Sequence, residues 1–550
     1  MARLSILLHA GLLIQVGLAA TSPGGNRINW GPCPDFNSTE PIQCANISVP
    51  LDYTQPESNK TLQLQLLRIP ALRQPSKGSI LFNFGGPSVA GRPAMATSGS
   101  LFRNSTSEYH DLVTFDPRGT GNTLPISCFE DEQERTSYVL KNPKAWGSLI
   151  PPNFWAKSSD NTPARLWAYA KLYVDKCYER NKEVGGLVGT AFVARDMMQI
   201  VDALGEDGLL RYWGRITPRF LWILWHQGSG TDFVLPGGSY GTLLGQTAAA
   251  MFPERIDKMV LDGNLNPHEY YHGYDDEQWT DSDKAFSAVF QSCVANPSTC
   301  RLAQRYQNKT ASQLEETIYT LINNLNDRPV PFNGTLIDYG FVKSGVMAAL
   351  YSPGLWVLLD VGFDALISRD LARFTQIWAV LATTYDSIGA AVDAQVGIRC
   401  GDKIARVESL DEFLPIMEQQ FGISRIFGDV QTATEMVCAQ WRLPAKEQYA
   451  GDFRVKTRRP ILFIGNTADA FTPLASARNA SAGFEGSVVL QTNGYGHSST
   501  GTSSCVDLVT EAYYVNGTLP ENGTFCELDN PVLPGGATKK QRAKRSLGRV

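Results

Sequence analysis

The chain has 550 residues, of which 43% are apolar and 19% charged, and a formal net charge of −5. Such a chain is globular, with room for a large catalytic domain and an insertion, or for about two to three ordinary domains. Its charge balance leaves no general attraction for nucleic acid, and no repeat period is visible.

Residues 1–20 read as a secretory signal: Arg3 is a short basic start, Leu4 to Leu18 an apolar run, and Ala19-Ala20 the small residues of a cleavage site. The run is short for an anchor and nothing later is longer, so no membrane span is expected after signal removal, and the product is expected to be secreted. Ser79 to Phe84 reads as a buried strand closed by Gly85-Gly86-Pro87, and Asp111 to Phe115 as a second, closed by Asp116-Pro117-Arg118-Gly119-Thr120-Gly121. An irregular stretch leads to a helix over Val193 to Leu204, a strand over Leu209 to Trp213 and another over Lys258 to Leu261. From about Asn266 the pattern turns helical, as in Leu314 to Leu325 and Phe413 to Phe421, predicting a helical cap over residues 267–450. Two late strands follow. Pro460 to Ile464 runs into Gly465-Asn466-Thr467-Ala468-Asp469, and Ser487 to Gln491 runs into Gly494-Tyr495-Gly496-His497. Short apolar strands alternating with helices predict an α/β fold with a mostly parallel sheet flanked by helices, its core divided between residues 21–266 and 451–527. Polar residues gather where those strands end, which is where such sheets hold ligands. The basic tail, residues 528–550, reads as a solvated end.

Ten cysteines are an even set, which in a secreted chain suggests up to five disulfides. Pairing of sequence neighbours is expected: Cys33 with Cys44, Cys128 with Cys177, Cys293 with Cys300, Cys400 with Cys438, and Cys505 with Cys526. No Cys-x-x-Cys pair argues for zinc, and no metal or cofactor is expected. Sequons at Asn37, Asn46, Asn59, Asn104, Asn308, Asn333, Asn479, Asn516 and Asn522 fit a glycosylated product.

Gly237-Gly238-Ser239-Tyr240-Gly241 is the one Gly-x-Ser-x-Gly in the chain and runs into an Ala-rich apolar stretch, Leu243 to Met251. The pattern is that of a nucleophile elbow, in which a serine sits on a sharp strand-to-helix turn relieved by flanking glycines. Of six histidines, His9 leaves with the signal and His226 sits in an anomalous segment. His110, His268 and His272 read as polar surroundings away from strand ends, whereas His497 follows a strand in a Gly-flanked turn. Asp469 ends the preceding strand, so the order Ser239, Asp469, His497 places nucleophile, acid and base as an α/β-hydrolase does, with the cap inserted before the acid. The backbone amides of Tyr240 and of the Gly85-Gly86 turn would form the oxyanion hole. Asp116 and Arg118 are expected to stabilise a loop beside the site through a buried or half-buried ion pair.

At this point the chain resembles the secreted tripeptidyl aminopeptidase branch of the α/β-hydrolases, related to prolyl aminopeptidases. The resemblance rests on Trp30 to Cys33 (WGPC), Val49 to Tyr53 (VPLDY), Asn83 to Pro87 (NFGGP), Asp116 to Gly121 (DPRGTG) and the SYGTLLGQ stretch from Ser239. It continues through FPERIDKMVLDG from Phe252, GNTADAFTP from Gly465, GYGH and the Cys505 to Cys526 segment, nearly the whole mature chain. It implies a serine peptidase with nucleophile Ser239, acid Asp469 and base His497. Two departures stand out. Where the family reads GGPGGSG, this chain has Gly85-Gly86-Pro87-Ser88-Val89-Ala90-Gly91, a bulkier mouth to the hole. Relatives also run from strand to elbow directly, whereas here Arg215 to Gly237 separates Tyr212-Trp213-Gly214 from Ser239. Removing that stretch restores a strand–turn–helix unit, which marks residues 215–237 as an anomalous insertion and a possible retained intron. The other reading is a genuine surface excursion, with Asp232 to Leu235 as the strand.

The residues therefore predict a secreted serine aminopeptidase acting on peptide or small acyl substrates. An esterase, amidase or lactonase of the same fold, and a catalytically impaired binding protein, remain open. An exopeptidase must bind an α-ammonium group, for which Asp275, Asp276, Glu277, Asp402 and Glu435 are available; none is assigned to it, because an acidic surface face is the better explanation for each.

Overall fold

The computed structural model describes residues 28–38, 40–141, 162–214, 240–385, 390–497, 499 and 502–530. Ser239, the insertion 215–237 with His226 and Asp232 to Leu235, the signal segment with His9, and the tail from residue 531 lie outside the described residues.

Among the described residues, nine strands build the main sheet: β1 (Gln43–Pro50), β2 (Thr61–Ile69), β3 (Ser79–Asn83), β4 (Asp111–Phe115), β5 (Leu210–Gly214), β6 (Ile256–Asp262), and, after a small hairpin of β7 (Val330–Phe332) and β8 (Thr335–Ile337), β9 (Leu462–Ala468), β10 (Val488–Tyr495) and β11 (Phe525–Cys526). Their order across the sheet is β1-β2-β4-β3-β5-β6-β9-β10-β11, with β2 antiparallel to both neighbours and β4 onwards parallel. All five residues of β3 and of β5 are buried, as helices on both faces require. Neighbouring side chains divide between the two faces. Leu81, Tyr212, Met259 and Phe463 enter one core, while Phe82, Trp213, Val260 and Leu462 enter the other.

The sequence-predicted strands and helices are present with ends shifted by a few residues. Missed were the edge strand β1 and its neighbour β2, in which buried positions are mixed with half-buried and exposed ones, the short strands β7, β8 and β11, the helices Gly91–Ser98, Leu474–Gly483 and Ser504–Asn516, and a 20-residue helix, Thr162–Asn181, in the stretch read as irregular. That helix packs with residues 392–443 around the disulfides Cys128–Cys177 and Cys400–Cys438. Cys33–Cys44, Cys293–Cys300 and Cys505–Cys526 complete the neighbour pairing.

Within the insertion between β6 and β9, the helices over 390–402 and 432–439 pack in the core around Cys400–Cys438, whereas those from Ser282 to Tyr385 form a layer with its own core. One of them, Ala311–Asp327, starts with a reciprocal capping box between Thr310 and Gln313. The same core takes in Ala468, Ala470 and Phe471, so the insertion packs directly on the residues that flank Asp469. No helix among the described residues is long and apolar enough to cross a membrane.

Candidate active site

Strand ends set the geometry. β9 and β10 are parallel neighbours, which brings Asp469, one residue past β9, beside His497, two past β10. Both side chains are buried, and His497 Nδ1 lies 3.4 Å from Asp469 Oδ1. Thr472 completes the pair. Its hydroxyl donates to Asp469 Oδ2 at 2.6 Å and lies 2.9 Å from His497 Nδ1, while the amides of Phe471 and Thr472 donate to Asp469 Oδ1 at 2.9 Å each. A hydroxyl that gives its proton to the carboxylate can accept the imidazole N–H, so Thr472 and Asp469 together fix the Nδ1–H tautomer. His497 Nε2 is buried and has no hydrogen-bond partner among the described residues. The remaining nitrogen is thus the one left for a reacting group.

The turn carrying His497 is held from three sides. Its own amide donates to the Tyr351 carbonyl at 3.0 Å, the Gly496 carbonyl accepts from Asn466 Nδ2 at 2.8 Å, and Gly263, just past β6, faces its carbonyl. Tyr351 ends a helix of the insertion (Tyr339–Tyr351); its half-buried ring stacks on Phe471 at 3.8 Å and meets His497 edge-on at 5.2 Å. Sequence reasoning passed over Thr472, although it lies inside the quoted GNTADAFTP, and Tyr351, for which no local signal exists.

The helix Tyr240–Met251 begins where β5 ends: a Cβ on Gly214 would sit 2.3 Å from the Gly241 carbonyl oxygen, and Tyr212 donates to that same oxygen at 2.7 Å. β3 is hydrogen-bonded alongside, Asn83 opposite Gly214, so the Gly85-Gly86 turn projects next to the helix start. Gly85 and Gly86 take φ of 78° and 117°, and a Cβ on Gly86 would lie 2.1 Å from the Ser88 nitrogen, so only glycine fits there. The Gly85 amide donates to Asn83 Oδ1 at 2.9 Å, which commits it within the turn.

Several sequence expectations need correction. Arg118 pairs with Asp196, not Asp116: Nε and Nη2 reach the two carboxylate oxygens at 2.7 and 3.0 Å, both side chains being fully buried. Asp116 instead accepts the Arg92 amide at 2.9 Å, and burial pushes its carboxyl up to about 6. His110 is not in polar surroundings but buried edge-on against the Tyr514 ring, and burial lowers it to about 4. Three of the five cap carboxylates are interior rather than on an acidic face. Asp275 binds Arg399 and Lys403 at 2.5 and 2.8 Å, and Glu435 lies 3.5 and 3.4 Å from the same cations. Burial opposes the charge on Asp275, but the two cations hold it below the usual range, while burial dominates at Glu435 and raises it. Asp402 is buried under Thr190 and Tyr270. Asp276 and Glu277 are half-buried, and each keeps one oxygen without a partner among the described residues. Eight of the sequon asparagines (all but Asn104, whose side chain is outside the described residues) are exposed.

Cys293, Cys300 and Asp360 come close enough to hold a metal, but the cysteines are joined as a disulfide and the Asp360 carboxylate accepts the Arg301 and Leu302 amides.

An acid and a histidine at adjacent strand ends, a helix springing from the central strand, and helices inserted before the acid define an α/β-hydrolase. Residues 424–526 match the family described as TAP-like protein. The chain has the α/β-hydrolase fold, and its C-terminal segment is similar to TAP-like proteins. It is 26% identical to the tripeptidyl aminopeptidase of Streptomyces coelicolor, over 92% of this chain and 87% of that one. It is 27% identical to serine protease Hip1 of Mycobacterium tuberculosis over 91% of each, and 25% identical to carboxylesterase B of the same species over 92% of each.

Proposed function

We propose that the chain is a secreted serine aminopeptidase that releases short peptides, of tripeptidyl or prolyl type, from free N-termini. The observation that carries this is the buried Asp469–Thr472–His497 group, with Nε2 lacking a partner among the described residues, at the sheet edge where the helix after Ser239 begins. In this reading Ser239 attacks the scissile carbonyl, His497 Nε2 takes the hydroxyl proton and gives it to the leaving amine, and water then hydrolyses the acyl-enzyme with His497 as base. Asp469 and Thr472 orient the imidazole and stabilise its charged form. The amides of Tyr240 and Gly86 bind the oxyanion; that of Gly85 is engaged by Asn83.

The same proposal takes residues 1–20 as a signal, 267–450 as the cap and 528–550 as a tail, with the sequons glycosylated. It takes Arg215 to Gly237 as a retained intron, and a spliced message encoding that stretch without interruption would remove this part.

The likeness to a carboxylesterase favours a second reading, an esterase acting on a small acyl substrate. Fluorophosphonate labelling of the full chain, absent in Ser239→Ala, tests the nucleophile. Tripeptidyl and aminoacyl amides, with free and blocked N-termini, are then compared with simple esters. Hydrolysis of esters alone, indifferent to blocking, would replace the peptidase by the esterase. A chain that neither labels nor turns over would be a binding protein of the same fold.

A further inference from the structure

Tyr240, the residue after Ser239, is 2% exposed, and its phenol oxygen lies 2.6 Å from Thr190 Oγ1. Thr190 opens the helix Thr190–Leu204 and directs both its hydroxyl and its amide at Asp402, at 2.5 and 2.8 Å. Asp402 ends a helix of the insertion, Ala390–Asp402, and accepts a third bond from the Tyr270 hydroxyl at 3.1 Å. Four segments far apart in sequence therefore meet in one buried chain of hydrogen bonds.

Its polarity follows from proton counting. The Thr190 hydroxyl has a single proton, which goes to the carboxylate, so its oxygen accepts from Tyr240. The order is Tyr240 to Thr190 to Asp402. Besides Thr190, the groups facing Asp402 are the phenols of Tyr240, Tyr270 and Tyr271. Lys403, next in sequence, turns its ammonium to Asp275 and the Gly273 carbonyl. With no cation paired to it among the described residues, burial pushes the Asp402 carboxyl up to about 7.

We infer that Asp402, acting through Thr190, is a positioning residue that holds Tyr240 and with it the backbone amide that faces the acyl oxygen. This rests on the assignment of Ser239 and Tyr240 above. The insertion then supplies part of the catalytic frame, not merely a wall over it. A tilt of Tyr240 moves both the nucleophile before it and the amide that should meet the oxyanion, and such displacements are costly in rate.

The test compares the full chain with Thr190→Val, which keeps volume and removes the hydroxyl, with Asp402→Asn, and with Thr190→Ser, which restores the hydroxyl. The readouts are kcat and KM per fluorophosphonate-labelled site, and hydrogen exchange in residues 244–248, whose amides bond the first carbonyls of the helix. Thr190→Val and Asp402→Asn are expected to lower kcat by about tenfold, to leave KM within about twofold and to speed exchange, with Thr190→Ser recovering most of the loss. Wild-type kcat per labelled site in Thr190→Val, unchanged exchange, or a change in KM alone would overturn the inference. Should Thr190→Val fail to fold, Tyr240→Phe removes only the terminal hydroxyl and is read by the same outcomes. A wild-type chain that never labels at Ser239 refutes the catalytic assignment instead, and the exchange measurement still decides whether Asp402 holds the helix.

Discussion

Gly214 and Gly241 touch backbone to backbone, the space for a Gly214 Cβ being filled by the Gly241 carbonyl oxygen at 2.3 Å. Residues separated by the whole of Arg215 to Gly237 thus stand as the last residue of a strand and an early residue of its helix stand across a sharp turn. Removing that stretch would leave three residues, Gly238 to Tyr240, between Gly214 and Gly241.

Deleting residues 215–237 is therefore expected to leave the thermal midpoint within a few degrees and to raise the rate of fluorophosphonate labelling at Ser239 by about tenfold or more over the full chain. Labelling rates with peptide mapping decide it; a deletion variant that unfolds or labels more slowly would show the stretch to be integral.

Thr472 gives its proton to Asp469 and receives that of His497, so the acid and its hydroxyl should be separable by mutation. Asp469→Asn is expected to lower kcat by roughly 10³ to 10⁴, because the amide presents the wrong proton to Nδ1. Thr472→Val should cost only about tenfold, since Asp469 still faces the ring. Equal losses for the two variants would contradict this division.

Arg118 and Asp196 are fully buried and share further bonds with the Leu51 and Pro50 carbonyls and the Tyr53 hydroxyl. Removing one partner strands the other charge, so Asp196→Ala should destabilise by about 3–5 kcal/mol in urea unfolding. The pH-dependence of activity should be unaffected.

His110 is lowered by burial to about 4, below its value in the unfolded chain. The unfolded state then binds the extra proton first, so stability is lost as pH falls from about 6.5 to about 4. His110→Phe should flatten the fall in thermal midpoint over that window.

Asp402 works with the opposite sign. Its folded value of about 7 stands above the unfolded one, so the stability it contributes is full below the unfolded value and lost as pH rises through about 7. The midpoint of Asp402→Asn relative to wild type should rise between about pH 4 and 7, then level off.

Local pattern determined a good deal. Apolar strands such as Ile80 to Phe82, the helical period of Leu314 to Leu325, and the turns after β3, β9 and β10 are encoded within a few residues of themselves, because period and turn chemistry are short-range properties. The neighbour pairing of cysteines likewise follows chain order. The tertiary structure alone decided who meets whom. Arg118 takes Asp196 over the nearer Asp116 because the helix Thr190–Leu204 packs beside its loop, and Asp275 and Glu435 are interior because the fold brings Arg399 and Lys403 to them. Tyr351 reaches His497, and Asp402 reaches Thr190, only once the insertion is folded over the sheet edge. Hydrogen bonds and buried charges find partners in space, so a sequence can name the groups while packing assigns them.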